Sequence, residues 1–198
     1  MPDIGITGGI GSGKTLVSQI FRNLGIPVYY ADERARYLMN QDKALVTKIM
    51  DFFGPEAFRN GMLNRKFLAE EVFGDEKKRE QLNRLVHPAV QEDFRKWKTA
   101  WKDKPYRLKE AALLFEAGTY RDLDRTILIL APESLRISRI LLRDPHRTTE
   151  DAKKIMATQM KDTEKKTLAD YVIVNDENRL VIPQVLKIHR ELMKDFTP

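Results

Sequence analysis

The sequence predicts an α/β fold with a parallel sheet, and three observations carry that prediction. A short apolar run, Ile4-Gly5-Ile6-Thr7, passes directly into the glycine-rich octet Gly8-Gly9-Ile10-Gly11-Ser12-Gly13-Lys14-Thr15. Leu16, Val17, Ile20, Phe21 and Leu24 then recur at the spacing of one helical face, which Gly25 ends. Ile26-Pro27-Val28-Tyr29-Tyr30 reads as a second strand, with Pro27 tolerable near its start. Strand, helix and strand joined by so short a return make a βαβ unit, whose strands run parallel.

From about residue 33 to 102 the pattern is almost wholly helical. Asn64 is placed to cap a helix carrying Phe67, Leu68, Glu71 and Val72, which Gly74 closes. Asp75 opens another with Leu82, Leu85 and Val86, and Pro88 is expected to interrupt it. Val90, Phe94, Trp97 and Trp101 continue at helical spacing. About seventy helical residues far exceed the dozen or so that a crossover needs, so they are read as an inserted helical subdomain.

Strand signals return at Leu108 to Phe115, at Thr126 to Leu130 and at Tyr171 to Val174. With the first two they make about five strands, a usual size for such a sheet. Helices fill the gaps, and Val185, Leu186, His189, Leu192, Met193 and Phe196 line one side of a C-terminal helix.

Composition bounds the function without choosing it. Hydrophobic residues at 42% and charged residues at 32% describe a soluble globular chain of 198 residues, with no run long enough to cross a bilayer. Met1-Pro2-Asp3 leads straight into the first strand, so no leader is expected, and the cytoplasm is the default location. The chain has no cysteine, which excludes disulfides and thiolate metal sites. The net charge of +6 is spread over clusters with acids close by, which read as solvated helix faces rather than a nucleic-acid surface. No nucleic acid, membrane or obligate protein partner is therefore expected.

The glycine octet carries the chemistry. Gly8, four residues, Gly13, Lys14 and Thr15 form a P-loop, following a strand and opening a helix as that motif requires. Glycines let backbone N–H groups converge on phosphate oxygens, and the helix adds its positive end. Lys14 neutralises the β and γ phosphates of ATP, and Thr15 offers its hydroxyl to Mg²⁺. Residues 8–16, including Leu16, are the expected nucleotide contacts. A GTPase would want Asn-Lys-x-Asp, which is missing, and Asp51-Phe52-Phe53-Gly54 lies in a helical run. A nucleic-acid ATPase would want a strand ending in a Walker-B Asp, and the later strands offer none.

Asp32 lies just past the second strand, where open parallel sheets bind ligands. It can accept a proton from an attacking hydroxyl or help hold Mg²⁺, or it can cap the helix beginning at Glu33; position alone leaves these open. Arg136, Arg139 and Arg143 fall on one helical face and read either as a lid over the phosphates or as a solvated basic face. His87, before Pro88, reads most simply as a packing or capping residue at a helix end. Glu116 follows a predicted strand and can aid Mg²⁺ through water or simply leave the core.

Taken in order, these segments resemble the dephospho-coenzyme A kinase family over nearly the whole chain. The likeness runs from Thr7 to Thr15 through Ala31-Asp32, Ala35-Arg36, Leu85-Val86-His87-Pro88 and Leu113-Leu114-Phe115-Glu116. It ends with Arg143-Asp144, Gln159 and Ala169 to Ile173. The resemblance implies transfer of the γ-phosphoryl of ATP to the ribose 3′-hydroxyl of dephospho-coenzyme A. It implies Asp32 as base, Arg143 as a lid arginine on the phosphates, and Arg36 and His87 beside the acceptor. It also implies a P-loop kinase fold with its core at about 1–32, 106–135 and 165–198, a helical substrate-binding insert at 33–105 and a lid at 136–164. Asn175 is expected near the nucleotide. Tyr30 stands where the family commonly has an acid, Ala112 where a proline is common, and Val174 where an Asp is frequent.

Overall fold

A computed structural model describes residues 1–196. β1 (Asp3–Gly8) leads through the glycine loop into α1 (Lys14–Asn23), and β2 (Val28–Tyr30) follows. Next come α2 (Ala31–Gln41), α3 (Lys43–Phe53), β3 (Phe58–Arg59), β4 (Met62–Leu63), α4 (Arg65–Val72) and α5 (Glu76–Thr99). The chain returns with β5 (Arg107–Glu110), β6 (Arg125–Leu130), α6 (Glu133–Arg143) and α7 (Thr149–Ala157). It closes with α8 (Asp162–Leu168), β7 (Tyr171–Val174) and α9 (Val181–Phe196).

Two compact units emerge, Ala31–Ala100 and the remainder. The second of these holds a five-stranded sheet in the order β2-β5-β1-β6-β7, every pair parallel. The apolar run of β1 places Ile4 beside Leu108 on one side, and Ile6 beside Ile127 on the other. These side chains, with Ile129 and Ile173, are buried against Val17 and Phe21 of α1 and Val185, Ile188 and Leu192 of α9. Phe21 is wholly buried, and Phe21→Ala would cost about 3–5 kcal/mol. Behind Phe21, the buried Tyr106 hydroxyl meets Nδ1 of His189 at 2.5 Å. Burial pushes the Tyr106 phenol up and the His189 imidazole down, so a neutral hydroxyl donates to a neutral ring.

The Ala31–Ala100 unit has its own core of Leu38, Leu45, Ile49, Phe53, Ala57, Leu68 and Val86. Its helices start on side-chain caps: Asp42 accepts from Ala44 and Leu45 N–H, Asn64 from Phe67 N–H and Asp75 from Lys78 N–H. Among the described residues no helix is long and apolar enough to cross a membrane.

Two expectations are corrected here, and two others are narrowed. Helix α5 does not stop at Pro88 but runs through it for 24 residues. The ring costs a hydrogen bond, which the packing of Leu85, Val86, Ala89 and Val90 on the helical core offsets. The segment is almost wholly helical, and its exception is the hairpin that β3 and β4 form around Asn60 and Gly61, both at positive φ. The strand expected to reach Phe115 ends at Glu110, with one last ladder bond from Ala111 N–H to Ile6 O at 3.0 Å, and residues 112–118 are turns. Of the readings left open for Asp32 the cap falls away, since α2 already begins at Ala31 and places Asp32 inside its first turn.

Candidate functional site

The loop from Gly8 to Lys14 leaves the carboxyl end of β1 and turns into α1 at Gly13, whose φ of 98° is a left-handed conformation that favours glycine. The first turn of α1 carries Lys14, Thr15 and Leu16, the latter two exposed. Unpaired amides at a helix start, with the dipole behind them, give the loop its affinity for anions. The Lys14 ammonium donates to Gly8 O at 2.9 Å and to Gly9 O at 3.4 Å, so a cation already stands over the loop. Ser12 is buried and its N–H donates to Gly9 O at 3.1 Å, tightening the turn.

Side chains distant in sequence hold this loop from outside. Arg136 Nε donates to Ile10 O at 2.9 Å, and Gln159 Oε1 accepts from Ile10 N–H at 2.9 Å. Asn175 Nδ2 donates to Ser12 O at 2.8 Å, and Arg139 reaches Gly11 O at 3.5 Å and Asn175 O at 3.4 Å. Of the three arginines spaced along α6, Arg136 is therefore no solvated charge. It is 6% exposed and paired with Asp162 at 3.1 Å. Sequence reasoning missed this role for Arg136 and any contact of Gln159. The available signal was that Arg136 lies one turn before Ile140, which is also buried.

Arg143 ends α6 and is exposed. Past it, the Arg147 guanidinium beside Asp144 holds that carboxyl below its ordinary range. Thr148 and Asp151 form a capping box that starts α7, and hydrogen bonds from Thr148 lower the Asp151 carboxyl in the same way. Glu116 lies within the turns at 112–118, not at a strand end. Its Oε1 accepts from Met160 N–H at 3.0 Å and stands 2.8 Å from the buried Lys165 ammonium. That approach is one of charge, without the alignment of a hydrogen bond.

In the helical unit, Asp32 and Arg36 lie exposed on α2 and His87 lies exposed in the middle of α5. The helix-end reading of His87 is thus corrected along with that of Pro88. Between Asp32 and Arg36, Arg34 grips Asp93 through Nε at 2.8 Å and Nη2 at 2.6 Å, and its guanidinium lies over the Tyr37 ring.

A lysine-bearing phosphate loop at the carboxyl end of the central strand of a parallel five-stranded sheet defines a P-loop kinase. The family model for dephospho-CoA kinase matches residues 3–180, and the chain belongs to that family. The dephospho-CoA kinase of Bacteroides fragilis is 36% identical over 185 residues, covering 93% of this chain and 90% of that protein. A crystal structure from Thermus thermophilus superposes with a TM-score of 0.84 at 29% identity, covering 100% of this chain and 98% of the other. The dephospho-CoA kinase of Campylobacter jejuni superposes with a TM-score of 0.70 at 25% identity, covering 98% of each.

Proposed function

We propose that this chain phosphorylates the ribose 3′-hydroxyl of dephospho-CoA with ATP, giving coenzyme A and ADP. The observation that carries the reading is the phosphate loop itself, within a family match spanning residues 3–180. The acceptor oxygen bonds to the γ-phosphorus, the bond to the β–γ bridging oxygen breaks, and ADP leaves with that electron pair. The acceptor proton passes to the carboxylate of Asp32, which is exposed in the first turn of α2. Lys14 and loop amides such as those of Gly11 and Gly13 take the phosphate charge, and Arg143 meets it as it redistributes. Arg36 and His87, both exposed, are assigned to the acceptor, and Leu16 and Asn175 to the nucleotide side of the loop.

Thr15 offers one exposed hydroxyl at the helix start, a donor set that fits Mg²⁺ arriving with the nucleotide and keeping most of its water. When bound there, Mg²⁺ supplies charge neutralisation at the β and γ phosphates. The reaction belongs to the cytoplasm. The test is an ATP-consumption assay across a panel of acceptors, with dephospho-CoA and nucleoside monophosphates among them. Turnover with dephospho-CoA and a product heavier by one phosphoryl group are expected. Faster turnover with a nucleoside monophosphate would overturn the assignment.

A further inference from the structure

Both polar groups of the Ile10 backbone are held from behind the phosphate loop. Its N–H donates to Gln159 Oε1 at 2.9 Å and its carbonyl accepts from Arg136 Nε at 2.9 Å. The same guanidinium reaches Gln159 Oε1 at 3.5 Å and Asp162 Oδ2 at 3.1 Å, so one charge ties the loop to residues on either side of it. It also lies so close under Gly9 that a Cβ there would meet Nη1 at 2.8 Å. Arg136 is 6% exposed, so little water competes for its donors.

Peptide geometry turns this support into a function. No described peptide bond is cis, and across a trans peptide the C=O and the following N–H point in opposite directions. Holding Ile10 O outward therefore turns Gly11 N–H inward, toward the concave side of the loop. Asn175 does the same one turn on, since its grip on Ser12 O directs Gly13 N–H inward. Gly9 O faces the other way and is covered by Ser12 N–H and the Lys14 ammonium. A carbonyl flipped toward the phosphates would place partial negative charge against them and remove a donor.

We propose that Arg136 is a positioning residue that holds the Ile10 carbonyl outward so that Gly11 N–H faces the nucleotide, with Gln159 fixing the preceding peptide through Ile10 N–H. The inference rests on the loop being the ATP site. The test is steady-state kinetics of Arg136→Met, Arg136→Lys and Gln159→Ala with ATP and dephospho-CoA varied separately, normalised to folded protein. Losing one charge-assisted bond corresponds to about a 10–100-fold fall in kcat/KM for ATP in Arg136→Met, with KM for dephospho-CoA unchanged. Arg136→Lys should recover most of that loss, because an ammonium can still hold the carbonyl. Gln159→Ala, which leaves the buried guanidinium in place, should raise KM for ATP several-fold and serves if Arg136→Met does not fold. Wild-type KM for ATP in Gln159→Ala, or equal losses for both substrates in folded Arg136→Met, would overturn the positioning role. A wild-type protein that binds no ATP would instead sink the underlying reading of the loop.

Discussion

Lys165 Nζ lies 2.8 Å from Glu116 Oε1, with the lysine side chain wholly buried and the glutamate side chain 17% exposed. Removing one partner strands the other charge away from water, so Lys165→Met should cost about 3–5 kcal/mol by urea denaturation. Adding Glu116→Gln should return most of that stability, because the amide oxygen can still accept from Met160 N–H. Additive losses in the double variant would show that the two charges do not act as a pair.

Asp32 gives a sharper test than its sequence position allowed. It lies exposed in the first turn of α2, and asparagine keeps the size and the accepting oxygen of the side chain, so Asp32→Asn should leave melting close to wild type. As the acceptor's base it should lose about 10²–10⁴-fold in kcat with KM for ATP little changed. Full turnover in Asp32→Asn would remove it from the chemistry.

Lys14→Ala should fold normally and lose phosphoryl transfer by about 10²–10³-fold or more, the scale of deleting one oriented charge at a developing anion. Lys14 is half-buried at the end of the loop and outside the buried core, so stability should not follow activity. Circular dichroism melting beside the kinetic assay separates the two.

Arg143→Ala should lower kcat by roughly 10–100-fold while ATP affinity holds, since its charge acts on the transition state more than on bound nucleotide. The exposed segment 143–150 should gain protection from amide exchange when ATP and a non-reactive acceptor analogue are both present. Unchanged exchange with unchanged kcat would leave Arg143 a surface charge.

Stability should also depend on pH through His189. Burial lowers its folded pKa, so below the ordinary value near 6.5 the unfolded chain binds the proton first. Stability is thus fully present above about pH 6.5 and falls as pH drops from there toward the lower folded pKa. Melting temperatures between pH 7.5 and 5.5 should fall more steeply for wild type than for His189→Gln. Equal slopes would dismiss the imidazole as the cause.

What the sequence made legible follows physical locality. The loop, the strands of β1, β6 and β7 and the caps at Asn64 and Asp75 are set by neighbours along the chain, so spacing revealed them. The hairpin at Asn60-Gly61 escaped because strands of two residues have no alternation to read, although the turn dipeptide itself was a signal. Pro88 misled because a local rule was outweighed by packing on the helical core. The partners that support the loop were out of reach for another reason, although the resemblance had set Asn175 near the nucleotide. Arg136, Gln159 and Asn175 meet their partners across 126, 149 and 163 positions, and only the folded sheet brings them together.

The strand order has a consequence for how the chain is made. β1 leaves the ribosome about a hundred residues before its hydrogen-bonding partners β5 and β6, which begin at Arg107 and Arg125. At roughly 5–20 residues per second, β1 waits several seconds with both edges unpaired. During that wait Ala31–Ala100, which carries its own core, emerges complete. The nascent protein should therefore acquire protease-resistant structure in residues 31–100 first, while residues 3–8 remain an apolar segment that a chaperone can bind until β5 arrives.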